Sequence, residues 1–165
     1  GDEDEKLEVS QMVGIAALKI GDFINHRTKD YIFDLDRFLA TEGKTGPYLQ
    51  YTAVRINSVL AKARNTGLSS GKILPPFSTT ERDLMLSLTA VSDYLLRAYS
   101  DKTPNVLCES LFEIAGIFNK FYGENKILTC PDEFRRASWL GLLELTHKML
   151  LTLLDILGVS VPKQM

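Results

Sequence analysis

Apolar residues recur at three- and four-residue steps along most of this chain, and no strand-like alternation lasts beyond a few positions. Val9, Met12, Val13, Ala16, Ile20 and Phe23 set one apolar face on a helix over residues 7–25. Residues 30–39 mix aromatics with Asp34 and Asp36, which predicts a short helix entered through an aspartate cap. Loop 40–46 leads to a helix from Pro47 to about Arg64. Proline suits the first helical position, where its fixed φ fits and its missing N–H is no loss. Residues 65–77, rich in Gly, Ser and Pro, read as the best linker in the chain, mobile in part. Ser78 and Glu81 form a capping box for a helix running to about Ser100. Thr103 and Pro104 open another, with a core face of Val106, Leu107, Leu111, Ile114, Ala115, Phe118, Phe121 and Tyr122. The stretch Thr129-Cys-Pro-Asp-Glu133 starts the last and longest helix, which Gly158 and Pro162 end. That helix has too many apolar positions for one stripe, Phe134 and Leu140 to Leu157 among them, so it is expected to be surrounded on most sides. The predicted class is all-α, a helical bundle with an N-terminal helical arm.

Composition narrows the picture. At 165 residues, with 45% hydrophobic and 24% charged, the chain is long enough for one domain with a sizeable core. No apolar run approaches membrane length, and no basic-then-apolar leader is present. Cys108 and Cys130 lack metal-site spacing and read as free thiols of a reducing cytoplasm. A start at Gly1-Asp-Glu-Asp-Glu5 without methionine is expected of a piece of a longer protein. The net charge of −2 is unusual for a nucleic-acid binder, but it hides an asymmetry. Residues 1–10 carry five acids and one lysine, whereas residues 40–72 carry five basic residues against Glu42. Attraction for phosphate is thus expected to be local.

The basic stretch also holds the most suggestive chemistry. Tyr48, Tyr51 and Arg55 fall at helical spacing on one stripe, behind a loop containing Gly43, Lys44 and Gly46. Phenol rings that stack bases, beside a guanidinium fork for phosphate, suit an unpaired RNA loop. On spacing alone, such a stripe is more often a helix that is half core and half solvated surface. Other candidates carry less. His26 beside Arg27 and Lys29 reads as a surface or interface histidine. Asp30, Asp34 and Asp36 lack the glycine and terminal glutamate of a calcium loop and read as caps and salt-bridge partners, so no metal is expected. Trp139, among leucines, reads as core. Lys19, Arg135 and Arg136 fit RNA or water equally. Neither histidine lies in a His-x-Gly-His context, and Gly43-Lys-Thr-Gly46 is too short for a phosphate-cradling loop between strand and helix.

The wording of Gly43-Lys-Thr-Gly-Pro-Tyr-Leu-Gln-Tyr51, followed by Arg55-Ile56, resembles the segment entering the anticodon-binding domain of arginyl-tRNA synthetases. Val13–Ile20, Asp30–Arg37, Pro104–Cys108, Phe118–Tyr122 and the terminus Leu157-Gly-Val-Ser-Val-Pro-Lys-Gln-Met165 also look like that family. The resemblance covers roughly residues 11–165, and the acidic residues 1–10 before it read as a lead that is disordered or partly helical. A helical connector from a catalytic domain follows over 11–46, and an anticodon-binding bundle over 47–165. It implies that Tyr48, Tyr51, Arg55, Lys44, Gly43, Gly46 and Met165 meet the anticodon loop of an arginine tRNA. It also implies a parent ligase that is cytoplasmic and uses ATP with magnesium in a catalytic domain absent from these residues, leaving this piece without activity of its own. A monomer is expected, with dimerisation open to it through apolar surface on residues 1–40. The last helix departs from the family's Asp-Ala-Leu-Arg wording, reading Arg136-Ala-Ser-Trp-Leu140 and Leu143-Glu-Leu-Thr-His147, which puts any contact from that face in doubt. Two other readings remain: a helical protein-docking module without RNA binding, and a related synthetase for another amino acid such as cysteine.

Overall fold

A computed structural model describes residues 2–165, which form helices and no strand. Helix α1 spans Asp2–Phe23, α2 Leu35–Leu39, α3 Gly46–Asn65 and α4 Thr79–Thr89. Then come α5 (Val91–Asp101), α6 (Asn105–Glu124), a single 3-10 turn over Ile127–Thr129, and α7 (Glu133–Ile156). Helix α3 packs on α1, α6 and α7, while α6 packs on α4, α5 and α7. Their shared interior holds Leu49, Ile56, Ile114, Phe118, Leu143 and Leu150, all fully buried.

The acidic lead is helical from Asp2, because Glu3, Asp4 and Glu5 place negative charge at the positive end of the helix dipole. Only the far half of α1 joins the core, through Ala16, Ala17 and Ile20. Leu7, Ile15 and Leu18 stay exposed. Asp34 caps α2 as expected, its Oδ1 accepting the Arg37 N–H at 3.1 Å. The helix is shorter than predicted, and the residues before it are extended, their rings Tyr31 and Phe33 packed on Phe38.

One expectation fails. The helix predicted from Ser78 to about Ser100 is two helices, broken at Ala90. There the Thr89 hydroxyl turns back to the Leu86 carbonyl at 2.8 Å, a local bond that competes with helix continuation. The linker expected to be partly mobile lies docked on α7. Gly71 N–H donates to the Ala137 carbonyl and Leu74 N–H to Ser138 Oγ, each at 2.9 Å. Arg135 Nη1 adds a bond to the Pro75 carbonyl, and Gly141 leaves room for the Gly71 carbonyl to approach the helix backbone. The capping box is present with a shifted return bond. Ser78 Oγ accepts the Glu81 N–H, and Glu81 Oε2 accepts the Phe77 N–H one residue ahead of the cap. Glu81 is fully buried and also pairs with Arg135 at 3.2 Å.

Helix α7 is covered on most of its circumference, with Leu140, Leu142 and Leu143 buried in near succession. Phe134, in its first turn, lies outside the bundle and is 82% exposed. Trp139 is core, edge-on to Phe121 at 5.8 Å. His147, on the same helix, is half-buried, and desolvation lowers its pKa below the ordinary 6.5, with Arg64 adding to the effect. The native state therefore holds the neutral imidazole, while the unfolded chain binds a proton near 6.5. This contribution to stability is complete above 6.5 and is lost as pH falls from there through the folded value. Urea midpoints measured on both sides of 6.5 are expected to drop less for His147→Gln than for the parent chain. Identical pH profiles would show that the histidine is not linked to folding.

Candidate nucleic-acid interface

Helix α3 starts one residue earlier than the sequence indicated, at Gly46, so Pro47 holds the second helical position. Thr45 is the cap. Its Oγ1 accepts the Tyr48 N–H at 3.2 Å and donates to the Ala40 carbonyl, which folds loop 40–45 against the helix start. The first turn therefore leaves the loop at a fixed angle, and Tyr48, Tyr51 and Arg55 follow on one face.

The structure joins those three side chains through a fourth. Asn119 of α6 accepts from Arg55 Nη1 at 2.7 Å and donates through Nδ2 to Tyr48 Oη at 3.0 Å and Thr52 Oγ1 at 3.2 Å. Arg55 Nη2 donates to Tyr51 Oη at 3.0 Å. The guanidinium lies 4.7 Å from the centre of the Tyr51 ring and 5.7 Å from that of Tyr122. Tyr48 is half-buried and stacked on Phe112, whereas Tyr51 is 41% exposed. Loop residues Thr41, Glu42 and Gly43 stand opposite, enclosing with Tyr48, Tyr51, Arg55 and Asn119 an open depression of about 530 Å³. Gly43 has φ +80°, a conformation that side chains rarely adopt, and nothing crowds its Cα.

This constellation offers one open aromatic face and a cation with no carboxylate partner among the described residues. It also offers a carboxylate, Glu42, able to address base edges, while both Nδ2 hydrogens of Asn119 are committed to Tyr48 and Thr52. Arg55 is held in place before any ligand arrives, so little side-chain freedom remains to be lost on binding.

Other predicted residues lie elsewhere. Lys44 faces a separate cleft of about 210 Å³ with Arg37, Asn25 and Tyr31. Gly46 is buried: a Cβ there would overlap the Ala16 carbonyl, so this glycine serves the α1–α3 contact and not a mobile loop. Met165 is exposed at the end of a tail held on α1 and α3. Lys19 Nζ donates to the Gly158 carbonyl, Gln50 Nε2 to the Ser160 carbonyl, and Gln164 Nε2 to Glu5 Oε1. Met165 is not among the residues that line the depression. The basic stretch is also divided, since Arg64 lines a different hollow with Glu144, while Lys62 continues the Arg55 stripe. Among the described residues there is no cluster of three or more potential metal ligands, and no helix is long and apolar enough to cross a membrane.

The family model of the DALR anticodon binding domain matches residues 49–165. The chain belongs to that family. The chain is 42% identical over 165 residues to the arginine–tRNA ligase of Alkaliphilus oremlandii, covering 99% of the chain and 28% of that protein. It is 44% identical over 162 residues to the ligase of Maricaulis maris, covering 98% of the chain and 27% of that protein. The arginyl-tRNA synthetase structure of Thermus thermophilus superposes with a TM-score of 0.87 at 31% identity, over 96% of this chain and 27% of that one. The Plasmodium falciparum enzyme gives 0.83 at 25% identity, over 96% and 28%. The chain thus spans little more than a quarter of the relatives it matches.

Sequence reasoning missed Asn119 and Glu42 as members of the depression, and Tyr122 as the ring behind Arg55. Asn119 and Tyr122 stood inside the Phe118–Tyr122 words that carried part of the resemblance. Nothing local indicated that α6 would present them to α3.

Proposed function

We propose that this DALR domain reads the anticodon loop of an arginine tRNA as part of an arginine–tRNA ligase. The observation that carries the reading is the linked set of Tyr48, Tyr51, Arg55 and Asn119 facing loop 41–43. An unstacked base lies on the exposed Tyr51 ring, Arg55 meets phosphate or a base edge, and Glu42 accepts from the base, while Asn119 holds Arg55 and Tyr48 in place. Gly43 lets loop 41–43 re-form around the RNA, with Lys44 meeting phosphate from its neighbouring cleft. Amino-acid activation, with ATP and magnesium, belongs to another part of the cytoplasmic ligase, whose acceptor-end chemistry this grip positions. The domain acts within one monomeric chain.

The test is binding of the domain to an anticodon stem-loop of an arginine tRNA across a salt series, beside Tyr51→Ala and a stem-loop with a changed anticodon. Loss of one stacked base is expected to cost about 1–3 kcal/mol. The altered anticodon should bind more weakly still. Equal binding of every loop sequence would rule out anticodon reading, and unchanged binding by Tyr51→Ala would remove the stripe from the interface.

A further inference from the structure

A second hollow, of about 420 Å³, opens on the far side of the Arg55–Tyr122 stack, and Tyr122 is part of its wall. Arg55 belongs to the first depression and Tyr122 to the second, with 5.7 Å between the guanidinium carbon and the ring centre. The two hollows are therefore adjacent compartments of one surface. Lys62 follows Arg55 by seven residues on α3, two turns along the same stripe and about 10 Å further on. Lys126, just past the end of α6, lines the same hollow from the other side, with Asn125 beside it.

Both lysines are exposed, and neither has an acidic partner among the described residues. No carboxylate lines the hollow. Glu124, the nearest acid in sequence, is turned away and accepts from the Thr80 hydroxyl at 2.8 Å. The first depression, by contrast, contains Glu42 and only one cation. The division of labour is chemical: acceptors and an open ring for bases in one hollow, unpaired ammonium groups for phosphate in the next.

We infer that Lys62 and Lys126 form a phosphate track that carries the single strand out of the base-reading depression, past Tyr122. The inference rests on the proposed anticodon reading and extends it to the path of the backbone. Ammonium groups bind phosphate as point charges, so the track is indifferent to sequence.

Its test is the salt dependence of stem-loop binding by the domain carrying Lys62→Ala and Lys126→Ala together, compared with the parent and with Lys62→Arg plus Lys126→Arg. Each lost phosphate contact on a single strand should reduce the slope of log affinity against log salt by about 0.7, and the pair by about 1.4. Discrimination between the cognate and altered anticodon should be unchanged, and the arginine pair should retain the parent slope. An alanine pair with the parent slope and affinity overturns the track while leaving anticodon reading intact. A parent domain that binds no stem-loop even at millimolar concentration overturns both.

Discussion

Arg55→Ala is expected to weaken binding of an arginine-tRNA anticodon stem-loop by roughly 30- to 100-fold, about 2–3 kcal/mol. The effect exceeds that of a single lost ion contact because the guanidinium does three things at once. It lies against the Tyr51 and Tyr122 rings, holds Asn119 at 2.7 Å, and keeps its charge free of any carboxylate. Removing it frees the Tyr51 ring and leaves the Asn119 Oδ1 without its donor. Arg55→Lys should recover only part of the loss, because an ammonium group lacks the planar fork that bonds Tyr51 and Asn119 together. Fluorescence anisotropy with a labelled stem-loop measures both variants. Affinity within twofold of the parent for Arg55→Ala would place the RNA elsewhere on the bundle.

Gly46→Val should act on the fold. Its Cβ would land on the Ala16 carbonyl and within contact of Ala17 N, where backbone meets backbone and no side chain is available to move aside. Helices α1 and α3 would have to separate, disturbing Ala16, Ala17 and Ile20, which are buried at that contact. Overpacking of this kind costs about 3 kcal/mol. Gly43→Ala, in the same loop, meets nothing within 4 Å and carries only the strain of a side chain at φ +80°. That strain is about 1–2 kcal/mol. Urea unfolding of the two variants separates the roles, with Gly46→Val expected to have the much lower midpoint. Equal midpoints would show that α1 is not packed on α3 as described.

The contrast between these two glycines shows how far local sequence reaches. Both belong by sequence to the loop before α3, and glycine permits either conformational freedom or close approach. The letters do not say which. Gly43 turned out to use the first property and Gly46 the second, a distinction created by α1 arriving from thirty residues upstream. Lys44 stands beside Gly43 in the loop, and the turn between Gly43 and the Thr45 cap sends it to a neighbouring cleft.

Periodicity and punctuation did determine the all-α class, the caps at Asp34 and Ser78, the start of α7 within Thr129–Glu133, and the C-terminal turn at Gly158, with φ +67°. These are short-range effects, settled by residues within one or two turns of each other. The Tyr48–Tyr51–Arg55 stripe was legible for the same reason. The break at Ala90 was not, because it depends on a weak competition between helix continuation and a hydroxyl bond at Thr89. Only the tertiary structure decided that α6 would bring Asn119 to bridge Tyr48 and Arg55, across separations of 71 and 64 residues. It alone decided that the linker would dock on α7 and that the tail would be held by Gln50. Such contacts are chosen by the shape left over when helices pack, and no local pattern records them.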